Sequence, residues 1–176
     1  MRCPLALSVV LLLVACDKED KEGTALQATP PCGPFVGIHW LDANSSPYGN
    51  SVDSTDWTWK DTWCDAAEAL FADRPPVSLD TLPPDSLRVR CFANPVQWQF
   101  YFLIYFDRDD PSYVDVRIVD EQFDLLYRAD SITGSACTVI RDTLPVNTGA
   151  IVRAYYRIVH ADGTAHRGHG DVLINN

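Results

Sequence analysis

The chain is short of positive charge, of catalytic signatures and of any apolar run long enough to cross a bilayer. Lys and Arg number 14 against 24 Asp and Glu, a net charge of −10. An acidic surface argues against nucleic acid and against electrostatic docking on anionic lipid. G-x-S-x-G, a phosphate loop, H-E-x-x-H and a cysteine–histidine signature are all missing, and with them the commonest sequence grounds for an enzyme. The cysteine spacing fits no CxxC zinc pattern. No catalytic residue is assigned, and no cofactor is expected apart from a metal ion considered below.

What the chain does have begins at its N-terminus. Met1-Arg2 is a short charged start, Pro4 to Ala15 is apolar, and Leu13-Val14-Ala15-Cys16 closes the run. Spanning a bilayer takes about 20 residues, so this stretch is too short. A charged start, an apolar middle and a small residue before the cut mark a secretory signal. Leu-Val-Ala-Cys resembles the lipobox of bacterial lipoproteins, which implies cleavage before Cys16 and acyl chains, palmitate among them, on that cysteine. Two or more chains give stable anchoring. Cys16-Asp17-Lys18-Glu19-Asp20 resembles the surface-export signal of Bacteroidota lipoproteins. That implies the outer membrane and its external face. Residues 16–31 then read as a tether, charged, then small and polar, ending at Pro30-Pro31. The fifteen residues that follow Cys16 behave as a coil with an end-to-end distance of roughly 20 Å.

The remaining chain is one domain's worth, and the full sequence, with 47% hydrophobic and 22% charged residues, is that of an ordinary globular protein. Of the six cysteines, Cys3 leaves with the signal and Cys16 takes lipid. Cys32, Cys64, Cys91 and Cys137 remain. An even set in an exported protein reads as two disulfides. Three connectivities are open; Cys32–Cys64 with Cys91–Cys137 is preferred, because it separates an N-terminal part from a β-rich one.

Residues 34–41 read as a first strand and 42–56 as a loop. Thr62 to Ala72 reads as the one helix, with Thr62 and Asp65 as a capping box and Arg74-Pro75-Pro76 as its stop. From residue 85 apolar residues recur every second position: Val89 and Cys91; Trp98, Phe100, Phe102, Ile104 and Phe106; Val114, Val116 and Ile118. Further strands are expected at 123–128, 137–141, 150–159 and 171–175. Turns are expected at 107–111, 133–135, 147–149 and 162–163. Short strands at this spacing predict a mostly β fold, a single antiparallel β-sandwich. Residues 32–84 would supply a strand, a Trp-rich loop and one helix packed on a sandwich of residues 85–176. Even positions of 98–106 face the core, and the Gln and Tyr positions face out.

Ala93-Asn94-Pro95-Val96 before a strand, Val114 to Asp120, Tyr155-Tyr156 and Gly170 to Ile174 resemble the immunoglobulin-like β-sandwiches appended to secreted Bacteroidota proteins. The resemblance implies an Ig-like sandwich. It does not extend to a sorting role, since the turn after Asp120 lacks glycine.

Three clusters are candidates for chemistry. His160, His166 and His169 with Asp171 supply Zn²⁺ ligand types, although in a strand His166 and His169 face opposite ways; a polar hairpin loop is the competing reading. Asp107, Asp109, Asp110 and Asp115 could offer oxygens to Ca²⁺, or simply form an acidic turn. Trp57, Trp59 and Trp63, with Trp40 and Tyr48, could form an aromatic binding platform, or pack the helix onto the sandwich. The expectation overall is a lipid-anchored, non-catalytic envelope lipoprotein, binding a protein or a glycan or serving an envelope complex. The alternative is a metal-binding protein or metal-dependent hydrolase using the C-terminal histidines.

Overall fold

A computed structural model describes residues 30–35, 40–41, 47–48, 56–59, 62–80, 88–97, 101–107 and 113–175, with backbone alone at 40–41, 47–48, 58–59 and 107. Cys16, the signal, residues 17–29, and Asp109 and Asp110 lie outside the described residues. The elements in chain order are β1 (Trp40–Leu41), β2 (Pro47–Tyr48), β3 (Thr58–Trp59), α1 (Asp65–Ala69), β4 (Ser78–Leu79) and β5 (Arg88–Phe92). There follow β6 (Tyr101–Asp107), β7 (Tyr113–Val119), β8 (Leu125–Ile132), β9 (Ala136–Ile140), β10 (Ile151–Val159) and β11 (Thr164–Leu173).

The fold is mostly β, a sandwich of two sheets with, among the described residues, one short α-helix. The larger sheet runs β3-β11-β10-β7-β8, with β4 pairing β11 in parallel at its edge; the smaller runs β5-β6-β9. All long neighbours are antiparallel. Between the sheets lies a core that includes Phe102, Ile104, Phe106, Val114, Val116, Ile118, Tyr156 and Ile158. Alternation explains it: Phe102, Ile104 and Phe106 point inward from β6, while Tyr101 and Tyr105 point out and are exposed. Asn94 sews the β5–β6 connection to β11, donating from Nδ2 to Asp171 O at 2.8 Å and accepting Leu173 N–H at Oδ1 at 3.1 Å.

Several local expectations change. The helix is five residues, not eleven. Its N-cap is Cys64, with no side-chain cap, so Thr62 and Asp65 form no capping box. Cys64 is disulfide-bonded to Cys32 with Cα atoms 5.5 Å apart, which fixes the helix start covalently. Cys91 and Cys137, by contrast, are free and buried. Both pair with Ile104, Cys91 from β5 and Cys137 from β9. With β6 between them their Cα atoms are about 10 Å apart by strand spacing, beyond the roughly 7 Å a disulfide can bridge. They pack as small hydrophobes.

Residues 164–170, expected as loop, continue the last strand. Trp57 explains how glycine survives there. Its indole lies against Gly170, where any β-carbon would collide with it, and stacks on Tyr156 with ring centroids 6.3 Å apart. Trp57 itself holds a left-handed φ of 56°, strained for a bulky residue. Its N–H donates to His169 O at 2.7 Å, which fixes it in place.

Candidate functional site

The second face of the larger sheet is its unusual feature. Odd positions of β7, β10 and β11 point away from the sandwich core, and aligned across the strands they read Arg153, Asp171 and Val119; Tyr155, His169 and Arg117; Arg157, Arg167 and Asp115. None of these side chains reaches solvent freely. Asp115 and Asp171 are 0% exposed and Arg117 1%. The face is covered by α1, the Cys32–Cys64 disulfide and a second apolar cluster that includes Phe35, Ala67, Phe71 and Tyr155.

Buried charges persist only when paired and hydrogen-bonded. Arg153 donates from Nε to Asp171 Oδ1 at 2.6 Å and from Nη2 to Oδ2 at 2.8 Å, a bidentate fork. Burial alone would lower the Arg153 pKa, but the Asp171 carboxylate outweighs it and the net shift is upward. Arg117 reaches Asp130 at 2.8 Å and Asp73 at 3.3 Å, and both acids also meet Arg128. Arg167 reaches Glu68 of α1 at 2.6 Å. Asp115 takes Arg157 Nε at 2.8 Å and Arg74 at 3.1 Å. Its Oδ1 also accepts the Ser131 N–H at 2.8 Å, beside the irregularity between Val114 and Val116 where β8 slips register.

Aromatic faces complete the layer: Phe71 lies under Arg117 and Arg157, Phe35 under Arg153, and Trp63 under Arg167, with guanidinium-to-centroid distances of 4.3–5.6 Å. Beside these groups opens a cavity of about 440 Å³, bordered by Trp63, Phe71, Arg74, Pro75, Arg157 and Arg167. That volume lies within the range of small-molecule sites.

The clusters expected from sequence are largely dispersed. His160 and His166 meet, rings edge to face at 4.9 Å, while His169 packs on Tyr155 on the other face of β11 and Asp171 is spent on Arg153. Among the described residues no group of three or more His, Cys, Asp or Glu is arranged to hold a metal ion. Asp115 is buried in the arginine layer, away from any acidic turn, and the side chain of Asp107 is not described. Trp57 fills the sandwich core and Trp63 the opposite side, so these two form no joint platform. The side chains of Trp40, Trp59 and Tyr48 are not described.

The arginine layer was missed because Asp115 and Arg117 alternate with valines as a solvent-facing strand would. One signal could have found it: after Lys60 every Lys-or-Arg position is arginine. Guanidinium, unlike ammonium, tolerates burial in forked pairs and stacks on rings.

The outer face of the smaller sheet is the second candidate surface. Phe92, Tyr101, Tyr105 and Ile140 are 40–59% exposed. The register places Phe92 beside Leu103 and Tyr101 beside Ile140.

These features define a mostly β sandwich whose larger sheet carries an ion-paired arginine layer under a disulfide-fixed helix. No family model matches the sequence, and no curated protein or solved structure is significantly similar to it.

Proposed function

We propose that this chain is a lipid-anchored, non-catalytic module of the cell envelope that binds a protein partner through the outer face of its smaller sheet. The observation that carries the reading is the exposed group Phe92, Tyr101, Tyr105 and Ile140, contiguous across three strands. Contiguous exposed apolar surface marks interaction sites in soluble domains. Tyr and Phe, with Arg88 and Arg90 on the adjoining strand, have the composition of protein interface centres. Leu103 and Ile140 offer nothing to sugar hydroxyls, which favours protein over glycan. The lipobox motif at Cys16 and the acidic residues behind it support an outer-membrane address on the external face.

The test is site-specific photocrosslinking on intact cells. A photoreactive residue at Tyr101 or Ile140 should give one protein adduct of fixed size, absent when it sits at exposed Gln122 in the β7–β8 turn. Phe92→Ser should remove the adduct. A polysaccharide adduct, or equal adducts from Gln122, would overturn the reading.

A further inference from the structure

We propose that the cavity beside α1 binds a small organic monocarboxylate with a flat apolar body, at a site separate from the exposed sheet face. Arg153 is matched by Asp171, Arg167 by Glu68, and Arg117 and Arg128 together by Asp73 and Asp130. Arg74 and Arg157 share Asp115 as their one close carboxylate partner; Asp130, at 3.8 Å from Arg74, already serves two arginines. Among the described residues, one positive charge in this layer is left without its own carboxylate, and both arginines concerned border the cavity.

Hydrogen bonding points to the same corner. Arg157 gives Nε to Asp115 at 2.8 Å and Nη1 to Pro75 O at 3.0 Å, while its buried Nη2 has no partner among the described residues. The buried Trp63 Nε1 is likewise without a partner there. Leaving buried donors unsatisfied is costly, more so on a charged group. A carboxylate oxygen is the acceptor that every other arginine of the layer already uses. A single surplus charge matches a monoanion better than a phosphate ester, which carries nearly two charges at neutral pH. The remaining walls, Trp63, Phe71 and Pro75, are flat and apolar, and would cover the ligand's body.

The test uses benzoate as probe against the full chain in detergent, followed by NMR of the five indole N–H signals. Benzoate should shift the Trp63 indole signal saturably. Benzamide, the neutral isostere, should bind at least roughly tenfold more weakly, because charged hydrogen bonds are the stronger ones. Arg157→Gln should weaken benzoate by a similar factor. Trp63→Phe, followed by saturation-transfer NMR on the benzoate ring protons because it lacks the indole reporter, should weaken binding less while preserving the fold, which covers the case in which Arg157→Gln does not fold. No shift at Trp63, equal binding of benzamide, or tighter binding of phenyl phosphate would each overturn the proposal. None of these outcomes bears on the crosslinking surface of the smaller sheet.

Discussion

The indole of Trp57 occupies the space in which Gly170 would carry a β-carbon. One residue comes from the turn before β3 and the other from the middle of β11. Their contact lets the strand accept a glycine at a position that any side chain would block. Gly170→Ala should therefore destabilise the fold by about 1–3 kcal/mol, as overpacking of a well-filled core does. Urea denaturation of the variant measures it. Trp57→Ala should lose stability as a cavity, but in that background Gly170→Ala should be nearly silent. Additive losses in the double variant would refute the contact.

Asp115 accepts from two guanidiniums and one backbone N–H while fully buried. Removing one partner of a buried ionic group strands the others, at a cost of about 3–5 kcal/mol. Asp115→Ala should approach that figure in chemical denaturation. Asp115→Asn should cost less, since it keeps an acceptor for Ser131. A loss below 1 kcal/mol for Asp115→Ala would mean that the arginine layer is not held through this residue.

The cysteines separate into two chemistries. Mass spectrometry of unreduced peptides should show Cys32 joined to Cys64, with Cys91 and Cys137 as thiols. Thiol reagent should label neither thiol in the native protein and both after unfolding, since burial pushes both thiols up in pKa. Breaking the bridge opens a loop of sequence separation 32, a loss of about 3–4 kcal/mol on loop-closure grounds. A Cys91–Cys137 peptide would contradict the strand order of the smaller sheet.

Stability should fall at both ends of the pH scale. Burial tends to raise Asp130 and Asp73, but Arg128 and Arg117 outweigh it and hold both below the usual 3.8. Acids depressed in the folded state stabilise it above their unfolded pKa, and that contribution is lost as pH drops below about 4. At the alkaline end, burial raises Cys91, Cys137 and Tyr156 above their usual 9.0 and 10.0. Their neutral forms are favoured in the folded protein, so stability falls as pH rises past about 9, where the unfolded chain begins to ionise first. Melting temperatures across pH 3–11 check both limbs. A curve flat above 9 would contradict the burial of these groups.

Much of the sandwich was legible because one face of each strand is apolar. Phe102, Ile104 and Phe106 fall inward as their period of two requires, and the turns at 133–135, 147–149 and 162–163 lie between strands as expected. What escaped has physical causes. β7 alternates polar and apolar, yet both its faces are covered, so Asp115 and Arg117 read as exposed when they are, with Asp171, the most buried charges in the layer. Gly168 and Gly170 suggested a loop, because the Trp57 ring that fills the missing side-chain space comes from a distant segment. The helix begins after the disulfide-bonded Cys64 rather than from a Thr62 cap, and it ends at Ala69, three residues before the expected Ala72. The Cys32–Cys64 pairing followed from grouping the cysteines by region; the other pairing failed because an intervening strand is invisible in the count.

The proposed function depends first on the anchor, and radiolabelled palmitate incorporation with fractionation tests it most directly. The wild-type chain should take up label and pellet with outer membranes, and Cys16→Ser should do neither while keeping its Cys32–Cys64 bridge. Label and membrane association retained by Cys16→Ser would contradict the account.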